Sequence, residues 1–364
     1  MVKAVDKFAI GLCLVLFSFS LAEGIESPLN GLTLDLNEKS EEYSFLLAGH
    51  LYGSPDNRFS AFPSSSFLAN IDRINSIGSK FFISLGDNYR RADDAHISSY
   101  KASVTSKLNM PLFNSAGNHD LTDRNLYEQN FGDTYYHFAY NHELFVILDS
   151  ELNAGEIIGD QLNFFLDVIR NAINTPEINN VFILSHKLIW SVNNPDYQIV
   201  FQHLNARSGY ADNYNFKSEI EPTLIELSKH RSVYWISGDI GCSWSLPIFY
   251  QKDQNSGVTY IATGIGDTVE DAILQVNVAK SGDEVTFIPV SLTGQEMQPV
   301  EHYGLEYWKE HFDAKVSEPK WTEKWLRILR HRYFWAGIFV AYLSMGFCVF
   351  VWKRLSNGGK SVEK

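Results

Sequence analysis

Apolar and β-branched residues recur in short runs along most of the chain and predict a series of β-strands. Several of these runs are apolar almost throughout, which is typical of strands that are covered on both faces. The predicted strands are 43–49, 80–85, 111–116, 144–149, 180–185 and 233–237.

Helix-like segments lie between these strands. Segment 64–77 opens on three serines, 159–173 carries apolar residues at three- and four-residue spacing, and 219–230 ends on basic residues, which suit a helix C-terminus. Further along, 258–264 predicts a strand and 273–292 predicts a hairpin that turns at 281–283. Alternation followed by a β-rich end predicts an α/β fold, a layered β-sandwich flanked by helices.

Both ends of the chain carry long apolar stretches. Lys3 and Lys7 precede an apolar run that closes on a small-x-small pattern at 20–22, so we interpret 1–22 as a signal peptide. An uncleaved anchor or a buried helix is the alternative. Segment 333–352 has no charged residue and matches the roughly 20 residues that cross a hydrocarbon core, which predicts a single C-terminal transmembrane helix.

These ends define the predicted organisation of the chain. The main domain covers 30–300, a juxtamembrane connector covers 301–332, and a tail of 353–364 follows the span. Within the connector, 321–332 predicts either an amphipathic helix at the membrane surface or a solvated helix. A signal peptide would place the main domain outside the cytoplasm, in the periplasm or in an extracellular or lumenal space, with the tail in the cytoplasm.

Composition restricts the classes of molecule that this chain is expected to bind. The formal net charge is -13 and the pI is about 5.3, whereas a nucleic-acid partner calls for a basic face. We therefore expect no nucleic acid, and a small or membrane-presented substrate. The three cysteines are Cys13, Cys242 and Cys348, two of them in the terminal apolar stretches, so neither a disulfide framework nor a cysteine zinc site is expected in the mature chain.

Polar side chains follow the predicted strands at the points where they end. In open α/β sheets the carboxyl ends of the strands form the edge where ligands bind. Histidine, aspartate and asparagine are donors suited to Zn, Mn or Fe. Each block alone would be an ordinary turn, but together they predict a metal site. The blocks are His50, Gly86-Asp87, Asn118-His119-Asp120, His186 and Gly238-Asp239.

The order of these blocks resembles the calcineurin-like metallophosphoesterase superfamily, which includes the purple acid phosphatases. The family order is D-x-H, G-D, G-N-H-[DE], a lone His and G-H-x-H, and the resemblance covers roughly 45–292. It implies that Asp87 bridges two metals and that Asn118 and His186 ligate the second. It also implies that His119 is the general acid at the leaving oxygen and that Asp120 orients its ring.

The first metal site of the family is depleted in this chain. Ala48 stands where the first block has aspartate, and Gly241 stands where the last block has histidine. Only His50 and Asp87 remain there, which is too few donors to hold a divalent cation well.

The second site keeps its donors, with one exchange. It would consist of Asp87, Asn118 and His186, with Asp239 in place of a histidine. Aspartate makes the site harder and favours Mn or Mg over Zn. We expect one divalent ion, Mn, Zn or Fe, and leave two ions open.

Two further positions have alternative interpretations. Arg90 stands where purple acid phosphatases have a metal-binding tyrosine, with Tyr89 one position off. Arg90 would either neutralise phosphate oxygens in place of the missing cation or pair with Asp93 or Asp94. His203 would lie either near the cleft or in a surface loop.

We therefore expect a membrane-anchored, extracytoplasmic metallophosphoesterase that hydrolyses a phosphate ester. The alternative is a catalytically inactive protein of the same fold that serves as a binding or scaffold subunit in an envelope assembly. Retention of Asn118-His119-Asp120 favours the enzyme, whereas the depleted first site favours the binding role.

Overall fold

A computed structural model describes residues 24–37, 42–192, 194–202, 215–240, 247–279, 284–316 and 332–358. The chain divides into two compact units, Met1–Trp308 and Lys309–Lys364. Four predicted features lie outside the described residues, wholly or for the most part. They are the signal peptide (1–22), His203, the hairpin turn at 281–283 and the segment 321–332.

The described residues form two main sheets and a small one. The strands are β1 (Gly24–Glu26), β2 (Thr33–Asp35), β3 (Tyr43–Ala48), β4 (Phe82–Ser84), β5 (Leu112–Asn114), β6 (Tyr136–Tyr140), β7 (Glu143–Ile147), β8 (Asn180–Ser185), β9 (Ser232–Ser237), β10 (Ile248–Lys252), β11 (Val258–Thr263), β12 (Ala272–Val278) and β13 (Val285–Ser291).

Helices connect the strands and cover the sheets. They are α1 (Ser65–Leu68), α2 (Ile71–Ser76), α3 (Asp94–Tyr100), α4 (Arg124–Phe131), α5 (Gly159–Asn174), α6 (Gln198–Gln202), α7 (Glu221–Ser228), α8 (Leu305–Val316) and α9 (Arg332–Gly358). Single π-helical turns at Lys101–Thr105 and Phe216–Ile220 adjoin α3 and α7.

Parallel strands make up most of each main sheet. One sheet has the order β13-β12-β3-β4-β5 and the other β10-β11-β9-β8-β7-β6. Strands β3, β4 and β5 run parallel as far as the β5 edge, and β7, β8, β9 and β11 run parallel in the other sheet. The remaining neighbours, β13-β12, β12-β3, β10-β11 and β7-β6, pair antiparallel. The six strands predicted first from the sequence are all present, and all lie in these parallel sets.

The core has one layer between the sheets and further layers under the helices. Phe45 and Phe81 stack at 5.1 Å between ring centroids in the space between the sheets. Neighbouring Leu46 and Phe82 face the opposite way and pack with Phe67 of α1. Successive residues of a strand point to opposite faces, so a strand that is covered on both sides reads as a continuous apolar run.

Helices also cover the outer face of the six-stranded sheet. Phe165 of α5 and Phe216, beside α7, lie 6.3 Å and 5.5 Å from the ring of Trp235 on β9. The architecture is therefore the predicted α/β sandwich of two sheets between helices.

Local contacts at the helix ends add detail that the sequence pattern does not give. The first serine of segment 64–77, Ser64, does not cap α1 with its side chain; its hydroxyl donates to Asp267 Oδ1 at 2.6 Å, which ties two loops together. Helices α3 and α4 were not predicted. Their caps are visible in the sequence, because Asp93 accepts from the His96 amide and Asp123 accepts from the Leu126 amide.

The C-terminal helix α9 covers the predicted membrane span. Among the residues that the structure describes, no helix combines the length and the apolar character needed to cross a bilayer. The predicted span therefore stays a prediction.

Candidate metal centre

The carboxyl ends of parallel strands from both sheets meet at one place. The amides of Gly238 and Asp239 donate to the His186 carbonyl at 2.9 and 2.8 Å, and the Leu85 carbonyl contacts the His186 ring at 2.7 Å. A Cβ on Gly238 would lie 2.1 Å from Leu85 O. Only glycine permits this approach, so the Gly-Asp block after β9 is required by packing as well as by turning.

Asp87 lies at the centre of this junction. It has a left-handed backbone (φ 55°) and a side chain that is 2% exposed. Its Oδ1 accepts from the His119 amide at 3.0 Å and lies 3.4 Å from His186 Nε2. Its Oδ2 lies 3.6 Å from His50 Nε2. The carboxylate therefore stands between two imidazoles, as a bridging role requires.

Three histidines share one anchoring arrangement. In each, Nδ1 lies within hydrogen-bonding distance of a main-chain carbonyl oxygen, which can only accept, so Nδ1 carries the proton. This leaves Nε2 for the site, the arrangement typical of metal-ligating histidines. The pairs are His50 with Ile265 O (3.2 Å), His119 with Arg90 O (2.7 Å) and His186 with Leu85 O (2.7 Å).

His186 is surrounded by carboxylates that raise the pKa of its ring. Its Nε2 is buried without a hydrogen-bond partner among the described residues and lies 3.8 Å from Asp239 Oδ1, besides its contact with Asp87. Burial lowers the pKa of His186, but the carboxylates of Asp87, Asp239 and Glu151 outweigh it and raise the pKa to about 10. The surroundings of Nε2 therefore favour a positive charge.

The pKa values of His50 and Asp87 are both lowered, in contrast to that of His186. Burial lowers the pKa of His50 to about 4, so this ring is neutral near pH 7. Burial alone would raise the pKa of Asp87, yet the charge of His186, 3.4 Å away, keeps that pKa below its ordinary value. Asp87 is ionised, as a ligand must be.

The contacts of Asp120 differ from those expected of a residue that orients the His119 ring. Its buried carboxylate accepts from the amides of Asp87 (2.8 Å), Asn88 (2.8 Å) and Gly117 (2.9 Å), so it fixes two loops to each other. The left-handed turn at Asp87 presents consecutive amides as a concave anion site, and Asp120 fills it. The Arg90 carbonyl orients His119 instead. Burial, and next the charge of Asp87, raise the pKa of Asp120 to about 7.

Arg90 stands beside His119. Its guanidinium carbon lies 5.2 Å from the centre of the Tyr52 ring, and that ring lies 4.6 Å from the His119 ring. The ion pair with Asp93 that was the alternative for Arg90 is made by Arg91, at 3.3 Å.

Tyr89 and Asn118 lie in different surroundings. Tyr89 belongs to the core, where it packs against Tyr100 at 5.6 Å, and burial raises the pKa of its hydroxyl well above 10. Asn118 lies half-buried in the turn after β5, directly before His119. Its role as a ligand stays a prediction.

Sequence reasoning missed a buried ion pair next to His186. Lys187 Nζ lies 2.6 Å from Glu151 Oε2, and both side chains are more than nine-tenths buried. Burial raises the pKa of Glu151 to about 7. The sequence positions of these two residues could have indicated the pair. Glu151 follows β7 at the same sheet edge as the other site residues, and Lys187 directly follows His186.

The donors fit a cation by type and need a small adjustment in position. Ligands about 2.1 Å from one ion stand roughly 3 Å apart, and here the closest separations are 3.4 and 3.8 Å. Accordingly, no group of three or more described His, Cys, Asp or Glu side chains forms a ready-made metal site. A buried imidazole nitrogen facing two carboxylates without a donor between them is nevertheless what a cation would complete.

Comparisons with known proteins support the fold. The chain is similar to a dimetal phosphatase from Danio rerio, with a TM-score of 0.50 and 13% identity over 69% of this chain and 96% of that one. A purple acid phosphatase from yellow lupin seeds gives a TM-score of 0.47 and 12% identity over 72% of this chain and 53% of that one, too low to add to the argument. No family model and no curated protein sequence matches the chain.

The chain therefore shares the fold of that dimetal phosphatase, as the resemblance in its motif order led us to expect. At this identity the likeness says nothing about activity, so chemistry must be argued from the residues.

Proposed function

We propose that this chain is a metal-dependent phosphoesterase that works with a single divalent cation. One observation carries the proposal: His186 Nε2 is buried, has no hydrogen-bond partner in the described part of the chain, and faces the carboxylates of Asp87 and Asp239. These three residues would hold the cation, with Asn118 as a further oxygen donor. A divalent cation there would act as a Lewis acid and would lower the pKa of water.

The residues around the centre fit the rest of the chemistry. His119 has its Nδ1 fixed by the Arg90 carbonyl, which leaves Nε2 to deliver a proton to the leaving oxygen. The Arg90 guanidinium is held beside that ring by Tyr52 and would bind the phosphate oxygens. Arg90 thus supplies positive charge on the side where the family's first metal site is depleted.

The test compares two histidines with the same anchoring. In His119→Ala the hydrolysis of para-nitrophenyl phosphate or its diester should fall by about 10²–10⁴ in kcat, with metal content unchanged. The control is His142→Ala, an exposed histidine whose Nδ1 also contacts a carbonyl, Glu177 O, at 2.9 Å. Equal turnover in wild type and His119→Ala would exclude His119 as the acid.

The second candidate function is a binding or scaffold role without catalysis. It is favoured by the residues that replace ligands, since Ala48 is fully buried at the end of β3, where the family has a carboxylate. Under this proposal the purified wild-type chain takes up no Mn²⁺ or Zn²⁺ and hydrolyses neither ester.

We also propose that the chain is anchored in a membrane with its main domain outside the cytoplasm. Support comes from the lack of charge in 333–352 and from the exposed apolar side chains of α9, such as Trp335, Phe339 and Phe350. The substrate would then be a small or membrane-presented phosphate ester, and envelope proteins would be the natural partners.

A further inference from the structure

The centre has a carboxylate that no block of the motif order includes. Glu151 follows β7, and its side chain is 8% exposed. Lys187 holds one oxygen, Oε2, at 2.6 Å. The other oxygen, Oε1, is buried and has no hydrogen-bond partner among the described residues. A buried carboxylate oxygen without a donor is costly unless something else satisfies it.

The loop that carries Glu151 is fixed to the strand end that carries His186. The Glu151 amide donates to Asp149 Oδ1 at 2.9 Å, and the Lys187 amide donates to Ser150 Oγ at 2.9 Å. The charges of His186 and Asp239 both act on the Glu151 carboxyl. Glu151 therefore stands within electrostatic reach of the two groups that face each other across 3.8 Å.

Two buried atoms without a hydrogen-bond partner among the described residues, His186 Nε2 and Glu151 Oε1, thus belong to adjoining parts of the centre. Once Nε2 has lost its proton, both atoms present lone pairs, and one cation could bind both. Lys187 occupies only Oε2 and so orients the carboxylate while leaving Oε1 available.

We propose that Glu151 is a further metal ligand, which binds through Oε1 the cation held by Asp87, His186 and Asp239. The inference rests on the proposed single-metal site and deepens it. Three carboxylates and one imidazole form an oxygen-rich donor set, which favours Mn²⁺ or Mg²⁺ relative to Zn²⁺. The centre would replace donors lost at Ala48 and Gly241 with one from a different loop.

The test measures metal affinity directly and needs no substrate. Mn²⁺ and Zn²⁺ dissociation constants are determined by titration calorimetry and, for Mn²⁺, by the loss of the free-ion electron paramagnetic resonance signal. The informative pair is Lys187→Met against the double variant Lys187→Met/Glu151→Gln. These differ only in the carboxylate, and the double variant leaves no unpaired buried charge that would prevent folding.

If Glu151 is a ligand, Lys187→Met keeps its Mn²⁺ affinity, whereas the double variant loses about tenfold or more. The loss should be larger for Mn²⁺ than for Zn²⁺. Glu143→Gln serves as a control, since Glu143 is a buried glutamate whose two oxygens both have partners, Tyr43 and Asn180.

Other outcomes separate the two levels of the proposal. If Lys187→Met and the double variant both bind Mn²⁺ as tightly as the wild type, Glu151 is not a ligand and the single-metal site remains. If both variants lose affinity to the same extent relative to the wild type, the Lys187–Glu151 pair has a purely structural role. No binding by the wild type would refute the proposed metal-dependent function itself.

Discussion

Individual residues at the centre show how far a motif can be interpreted from sequence alone. The sequence predicted that Asp87, His186, Asp239 and His50 come together, because strands that are apolar throughout are covered on both faces, and the carboxyl ends of parallel strands form the edge where ligands bind. It could not predict what Asp120 binds. That depends on the left-handed backbone at Asp87, which turns two amides toward the carboxylate.

The structural role of Asp120 leads to a first prediction. Asp120→Ala leaves three buried amides without an acceptor and should lower the free energy of unfolding by about 3 kcal/mol or more. Asp123→Ala, which removes an exposed helix cap, should cost only about 1 kcal/mol. Urea denaturation of both variants provides the comparison. Similar losses for the two would show that the Asp120 contacts contribute little.

At the level of elements, the two sheets are joined by specific contacts that periodicity does not reveal. Tyr43 on β3 donates its hydroxyl to Glu143 Oε2 on β7 at 2.8 Å. Gly238, after β9, meets the main chain of Leu85, after β4. The alternation of apolar residues predicts which faces are buried, but not which positions of the two sheets face each other.

The burial of Glu143 predicts a pH dependence of stability. Burial raises the pKa of Glu143 above its ordinary value of 4.5. The folded chain therefore retains a proton that the unfolded chain has released. This contribution to stability is present below about pH 4.5 and is lost as the pH rises through the folded pKa.

Consequently, the free energy of unfolding of the wild type minus that of Glu143→Gln should decrease as the pH rises from about 4 to neutrality. Urea denaturation of both proteins across this range measures the difference, and other titrating groups cancel. A difference that increases with pH would mean that the pKa of Glu143 is lowered on folding.

The close approach at Gly238 provides a third prediction. Gly238→Ala should destabilise the chain by about 1–3 kcal/mol or more, since the added methyl group must displace the Leu85 carbonyl. It should also weaken metal binding, because Asp239 follows directly. Gly304→Ala is the control: its nearest contact would be an ordinary 3.4 Å, and its φ is negative. Thermal unfolding and Mn²⁺ titration distinguish the two variants.

At the scale of the whole molecule, the chain consists of a body that carries the candidate chemistry and a C-terminal unit that begins at Lys309. The body is closed by Trp308, which is fully buried and donates its indole N–H to the Ile248 carbonyl at 3.1 Å. Trp308 therefore belongs to the core of the body.

We therefore expect a chain that ends at Val316 to unfold at the same temperature as the full-length protein. If α9 anchors the protein, the shortened chain should also move from the membrane fraction to the soluble fraction. A chain that ends at Trp352 removes only the tail and should stay with the membrane. Recovery of the full-length protein in the soluble fraction would contradict the proposed anchoring.

The left-handed backbone at His50 (φ 56°) and Asp87 (φ 55°) has a consequence for how this site can evolve. Glycine adopts that conformation most readily and asparagine next, while aspartate and histidine are tolerated there better than other side chains. Selection for stability alone would favour glycine or asparagine at both positions. An imidazole and a carboxylate at these two positions therefore cost the fold some stability. Variants selected only for heat resistance should therefore lose these two side chains early.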